Sequence, residues 1–281
     1  PPPPPPLFFF TPTTQYAIPL RLVGSEMCIR DSLMAAILAK GTTVITNAAA
    51  EPEIQQLCQM LNQMGANISG IGSNTLTIKG VDSLKSIENI SVIPDRIEAG
   101  TFLIAAAAIG GEVKVANIIP EHLESVVQCL QKANINIEVA DNSIIVKSRT
   151  NDILPTNIET NEYPGFPTDL QAQWMMLMCL AKGISTIKEN IYYDRFTHIM
   201  ELNRLGCNIK LKDSVATIKG DRSLIGADVM STDIRASAAL IIAALCAKGV
   251  TKISRVYHID RGYDKIEEKL TNIGAEIFRK K

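Results

Sequence analysis

The chain has 281 residues, with 28 basic and 29 acidic side chains, a formal net charge of −1 and 46% hydrophobic residues. That composition suits a globular protein with material for one large or two modest domains, and the balanced charge offers no footing for nucleic acid or an anionic membrane. The longest apolar stretch, Ala236 to Ala247, is too short to span a bilayer.

Residues 1–32 open on six prolines and then Leu7-Phe8-Phe9-Phe10, without periodicity. Polyproline disfavours a packed core, and a basic segment followed by an apolar core, the mark of a signal peptide, is missing. The stretch from Gly24 to Ser32 resembles translated sequencing-adapter sequence. This segment reads as a disordered, non-native leader.

From Leu33 onward the chain repeats itself. Helix-like runs over Leu33–Ala39, Phe102–Ile109, the stretch after Asp169, and Ala236–Ala247 close at Gly41, Gly111, Gly183 and Gly249, at spacings of 70, 72 and 66 residues. Each glycine leads into a short β-branched segment such as Thr42-Thr43-Val44-Ile45 or Ile184-Ser185-Thr186-Ile187. A second set of helices ends at Gly65, Asn134, Gly206 and Gly274, each followed by a strand-like segment, and glycine or asparagine there is the left-handed cap signature. Two landmark sets with one period define a repeated unit of helix, strand, helix and strand, often with a second strand. Residues 33–93 hold one partial unit, and 94–281 hold three.

Three of these helices are preceded by an aspartate: Asp95, Asp169 and Asp233. Pro164, Gly165 and Pro167 make the segment before Asp169 a loop. Asp169 then stands where a helix begins, as an N-cap or as a carboxylate held at the positive helix end. On local pattern alone, capping is the better reading.

The six cysteines form no Cys-x-x-Cys pair, and Cys58, Cys129, Cys179 and Cys246 lie in apolar helical runs, as core residues do. Scattered cysteines suit a reducing cytoplasm. The three histidines, His122, His198 and His258, show no metal-ligand spacing. Gly70-Ile71-Gly72 lacks the third glycine of a dinucleotide loop and reads as a turn.

Five segments together carry a resemblance: Asn47–Glu53, Pro94–Glu98, Phe166–Gln173, Thr232–Ala238 and Tyr257–Tyr263. In this order they resemble the UDP-N-acetylglucosamine 1-carboxyvinyltransferase family of enolpyruvyl transferases, over essentially Leu33 to Lys281. The resemblance implies an α/β fold of inside-out barrels built from repeated units. One three-unit domain (94–281) would be complete, and 33–93 would be part of a second, UDP-sugar-side domain. It implies transfer of the enolpyruvyl group of phosphoenolpyruvate to the 3-hydroxyl of UDP-N-acetylglucosamine, the first committed step of bacterial peptidoglycan synthesis. Asp169 would bind the sugar and accept its hydroxyl proton, and Ile191 would contact the UDP-sugar. Arg195, Arg235 and Arg261 match cleft arginines, with Arg235 and Arg261 clamping phosphoenolpyruvate by bidentate pairing. Asp233 would position Arg235 or contact the intermediate. No metal, cofactor or obligate protein partner is implied, and the partners are the two small-molecule substrates. The family's reactive cysteine and its lysine–asparagine pair have no counterpart here, so the chain reads as a fragment inactive on its own. The alternatives are 3-phosphoshikimate 1-carboxyvinyltransferase, whose motifs fit these segments less well, and a noncatalytic repeat scaffold.

Overall fold

The computed structural model describes residues 17–18, 26–149, 152–221 and 223–280. The chain divides between Val92 and Ile93 into two compact units.

In the first unit, β1 (Ala17–Ile18), β2 (Thr42–Thr46), β3 (Asn67–Ser69) and β4 (Thr75–Lys79) form a sheet of order β1-β2-β4-β3. Two helices pack on it, α1 (Glu26–Ile37) and α2 (Pro52–Gln63). Here the leader expectation fails in part, because α1 begins six residues before Ser32 would have ended the disorder. The physical reason lies in the spacing. Ile29, Leu33 and Ile37 recur every four residues, make one helical stripe, and are buried against Ile45, Ile54, Leu76 and Ile78. Burying each such side chain contributes roughly 1.5–3 kcal/mol. Residues 1–16 and 19–25 of the expected leader lie outside the described residues.

The second unit places helices inside and sheets outside. Its axis is formed by α3 (Arg96–Ile109), α5 (Gln171–Leu180) and α7 (Ile234–Cys246), each in contact with the other two. Every residue of α5 from Gln171 to Cys179 is buried, as a helix apolar on all sides must be. Around them run β5 (Gly111–Ala116), β6 (Asn136–Ala140) and β7 (Ser143–Ser148) in order β5-β7-β6. A second sheet takes β8 (Ile158–Glu159), β9 (Ile184–Lys188), β10 (Ile209–Lys212) and β11 (Val215–Lys219) in order β10-β11-β9-β8. A parallel pair, β12 (Asp228–Met230) with β13 (Lys252–Ser254), makes the third. Strands alternate buried and exposed residues, as Val215–Lys219 does, so one face meets the helices and the other meets solvent. Outer helices α4 (Glu124–Lys132), α6 (His198–Arg204) and α8 (Ile266–Asn272) complete the three repeats.

Backbone geometry repeats with the sequence. Gly41, Gly111, Gly183 and Gly249 all have positive φ, as do Gly65, Asn134, Gly206 and Gly274. Asn62 brackets Ile68, accepting from its N–H at 2.9 Å and donating to its C=O at 2.8 Å, and Asn203 does the same to Ile209 at 3.0 and 3.1 Å. In the last repeat Thr271 Oγ1 donates to Ile277 O at 3.3 Å, but the strand expected there does not form. A strand exists only through its ladder, and no described strand pairs with this segment.

Candidate active site

The site is built at the N-terminal ends of the inner helices. Asp95 and Asp233 behave as the sequence predicts for N-caps. Asp95 Oδ1 accepts from Ile97 N at 2.8 Å and Glu98 N at 3.0 Å, and Asp233 Oδ1 accepts from Arg235 N at 2.8 Å and Ala236 N at 2.9 Å. Asp169 does not cap. A 3-10 turn, Thr168–Leu170, stands before α5, and Leu170 takes the N-cap position without a side-chain bond. That turn is pressed close to α3 at Gly100, where a Cβ would lie 2.4 Å from Leu170 Cδ1. The Asp169 carboxylate is thereby free for other partners. Its Oδ1 accepts from Arg195 Nη1 and its Oδ2 accepts from Arg235 Nη2 at 2.7 Å.

Burial would push the Asp169 carboxyl group up, but the guanidinium of Arg235, then that of Arg195, and their hydrogen bonds hold it below the usual carboxylate range. The Asp169 side chain is still 31% exposed, so a ligand can reach it. Two guanidinium groups on one carboxylate leave one positive charge uncancelled within the triad. The arrangement can take an anion at the arginines and a proton at the carboxylate.

Arg195 lies in the turn before α6. It also donates to Thr168 Oγ1 at 3.2 Å, sits over the Tyr192 ring at 5.5 Å, and its carbonyl accepts from Gln171 Nε2 at 3.2 Å. Arg235 is the second residue of α7, and its guanidinium lies 5.9 Å from the centre of the Tyr263 ring. Beneath it, Tyr263, Thr101 and Gln173 form a buried polar network at the head of the three inner helices. Thr101 has one hydroxyl proton, and it goes to Ile97 O at 2.9 Å. Tyr263 therefore donates to Thr101, at 2.8 Å, and its oxygen is left to accept from Gln173 Nε2 at 3.4 Å and Arg235 Nη1 at 3.5 Å. The approach demands a glycine at 262, where a Cβ would lie 2.8 Å from Ile234 Cγ2 and 3.9 Å from Arg235 Nη1.

Of the residues singled out in the sequence, Asp169, Arg195 and Arg235 thus meet directly. Asp233 joins them through the backbone of Arg235. Arg261 ends the 3-10 helix Val256–Arg261 and is exposed, and among the described residues its side chain makes no hydrogen bond or ion pair. Asp260 beside it is taken by Arg279 at 2.7 and 2.8 Å. Ile191 sits in a turn, and its N–H is used by Glu189 at 3.0 Å, which leaves its carbonyl for a ligand. Sequence reasoning missed Thr168, Gln173, Glu189 and Tyr263, which build the site from behind. Burial pushes the Cys58 thiol up to about 11 and that of Cys246 to about 12, so neither is a thiolate nucleophile at neutral pH.

Residues 22–270 match the family model of EPSP synthase (3-phosphoshikimate 1-carboxyvinyltransferase). Among curated relatives, the UDP-N-acetylglucosamine 1-carboxyvinyltransferase of Chlorobium luteolum is 53% identical over 259 residues, covering 92% of this chain and 61% of that protein. The protein of the same name from Bartonella henselae is 53% identical over 266 residues, 94% of this chain and 61% of its own. The chain therefore spans about 61% of the length of these relatives. Among solved structures, the enolpyruvyl transferase NikO from Streptomyces tendae superposes with a TM-score of 0.82 at 25% identity, over 89% of this chain and 60% of that one. EPSP synthase from Acinetobacter baumannii, at a TM-score of 0.70 and 19% identity over 95% of this chain and 64% of that one, shares the fold.

Proposed function

This chain belongs to the EPSP synthase (3-phosphoshikimate 1-carboxyvinyltransferase) family, and within it we propose that it carries the acceptor and phosphoenolpyruvate chemistry of a UDP-N-acetylglucosamine 1-carboxyvinyltransferase. The 3-oxygen of the sugar attacks the central carbon of phosphoenolpyruvate, the methylene carbon gains a proton from an acid in the part of the protein this chain does not span, and phosphate leaves as the methyl group so formed gives up a proton. Asp169 receives the hydroxyl proton. The Ile191 carbonyl holds the UDP-sugar, Arg195, Arg235 and Arg261 hold the carboxylate and phosphate of phosphoenolpyruvate, and Asp233 fixes Arg235 through its backbone. Anionic small-molecule substrates and scattered free thiols suit the cytoplasm.

One observation carries this reading: Asp169, alone of the three helix-leading aspartates, is withheld from its helix and clamped by two arginines. That clamp also couples the two substrates. While both guanidinium groups face Asp169, it is a poor base. An arriving phosphoenolpyruvate competes for Arg235, and each contact it draws away raises the basicity of the carboxylate. Proton acceptance is thus favoured only once the second substrate is in place.

The test joins this chain to the part of the Chlorobium luteolum relative that it does not span and follows phosphate release from phosphoenolpyruvate. Release is expected with UDP-N-acetylglucosamine as acceptor and not with shikimate 3-phosphate. Release with shikimate 3-phosphate alone would overturn the assignment in favour of the other acceptor.

A further inference from the structure

Each closing glycine is followed by a strand, and the sixth residue after the glycine ends it. After Gly41, Gly111 and Gly249 that residue is Asn47, Asn117 and Arg255, with left-handed φ of 56°, 57° and 57°. After Gly183 it is Glu189, which is not left-handed and whose side chain is fully buried. Glu189 Oε1 accepts from Thr160 Oγ1 at 2.7 Å, Thr168 Oγ1 at 3.0 Å, Ile191 N at 3.0 Å and Tyr192 N at 2.9 Å. The repeat that withholds its aspartate from capping is therefore the repeat that replaces the left-handed residue with a buried glutamate. The two departures touch through Thr168.

We propose that Glu189 is a positioning residue of the active site, tying the turn that carries Asp169 to the turn that carries Ile191 and Arg195. It acts by orienting a hydroxyl. Thr168 has a single proton, and Glu189 takes it, so the lone pairs of Thr168 Oγ1 face outward and receive Arg195 Nη1 at 3.2 Å. The same Nη1 binds Asp169 Oδ1. Thr160 repeats the device, donating to Glu189 and accepting from Asn190 N at 3.0 Å. Without this acceptor the Thr168 hydroxyl is free to turn its proton toward the guanidinium, and the N–H groups of Ile191 and Tyr192 lose their partner. The inference rests on the reading of Asp169 as the acting carboxylate, since positioning matters only if that carboxylate works.

The experiment titrates Asp169 by carboxyl-carbon NMR in the ligand-free 281-residue chain. Removing a negative charge near a carboxylate lowers its pKa, whereas releasing a guanidinium partner raises it. For Glu189→Ala the expected shift of Asp169 is upward, toward its ordinary range. Glu189→Gln keeps an acceptor oxygen and should rescue the low value. Should Glu189→Ala fail to fold, Thr168→Val decides the matter: it removes the oriented hydroxyl without touching the glutamate and should raise Asp169, while Thr168→Ser should not. Ser185→Ala, on β9, is the control, and no shift is expected. A downward or absent shift in Glu189→Ala and Thr168→Val, or a Glu189→Gln chain that shifts as far as Glu189→Ala, overturns the proposal. No substrate enters this titration, so its failure is separate from a failure of the acceptor assay.

Discussion

Three inner helices of the second unit open on an aspartate, and two of them use it on themselves. At α3 and α7 the carboxylate satisfies backbone N–H groups of its own first turn. At α5 one extra 3-10 turn shifts Asp169 out of that position and hands it to Arg195 and Arg235. The lesson is that the repeat supplies a carboxylate at the entrance of each inner helix, and one becomes available to other partners where the local structure stops consuming it. The price is an uncapped α5, held instead by the burial of every residue from Gln171 to Cys179.

The sharpest way to break this contrast is to make one substitution at two of the three positions. In the joined enzyme, Asp169→Asn keeps hydrogen-bonding capacity but cannot accept the proton. Turnover should fall roughly a hundred- to ten-thousand-fold with little change in the Michaelis constant for the sugar. Asparagine caps about as well as aspartate, so Asp95→Asn should alter stability by no more than about 0.5 kcal/mol and leave turnover intact. A turnover number that survives Asp169→Asn would make that residue a binding group only.

Arg261→Ala comes next. Arg261 is exposed and its side chain is unengaged among the described residues, so its removal should cost the fold little. Losing a charge-assisted contact to phosphoenolpyruvate should cost roughly 2–4 kcal/mol in kcat/KM for that substrate, at unchanged thermal stability. Unchanged saturation by phosphoenolpyruvate would remove Arg261 from the site.

Acid probes the same end of the unit. Burial, with a smaller push from Arg195 against the pull of Asp233, lowers the pKa of His198 from 6.5 to about 4. The unfolded chain takes that proton near pH 6.5 and the folded chain near pH 4, so stability is lost as pH falls through this window. The loss amounts to about 3 kcal/mol. Denaturant unfolding at pH 7 and pH 4.5 should show it, and His198→Gln should flatten the difference. A slope that persists in the variant would assign it elsewhere.

The smallest expected effect lies at Arg255, whose counterparts in the first two repeats are asparagines with the same left-handed φ. Arg255→Asn should stabilise the chain by about 0.5 kcal/mol, since asparagine tolerates that region better. A lower melting temperature would mean that the arginine side chain does something its backbone conformation does not reveal.

Much of this was legible in the sequence. The closing glycines, the left-handed caps and the three aspartates follow from local backbone chemistry, and the structure places each where the period puts it. The role of Asp169 was not legible from its surroundings, because its partners Arg195 and Arg235 lie 26 and 66 residues along the chain. Glu189 left one signal, an acidic residue six places after a closing glycine where the other units carry Asn or Arg. Of the helix Glu26–Ile37 only the part from Leu33 was legible; its first two turns follow an aperiodic, proline-rich stretch, although Ile29 extends the stripe of Leu33 and Ile37.

The three-helix axis also bears on how the protein is made. Its members come from successive repeats, so α3 and α5 leave the ribosome before α7, which packs against both. From Leu180 to Cys246 the chain grows by 66 residues. At translation rates of about 5–20 residues per second, that leaves a gap of roughly 3–13 seconds. For that interval the faces of α3 and α5 that meet α7 in the finished fold have no partner, so the second unit cannot close its axis until its last repeat has been made.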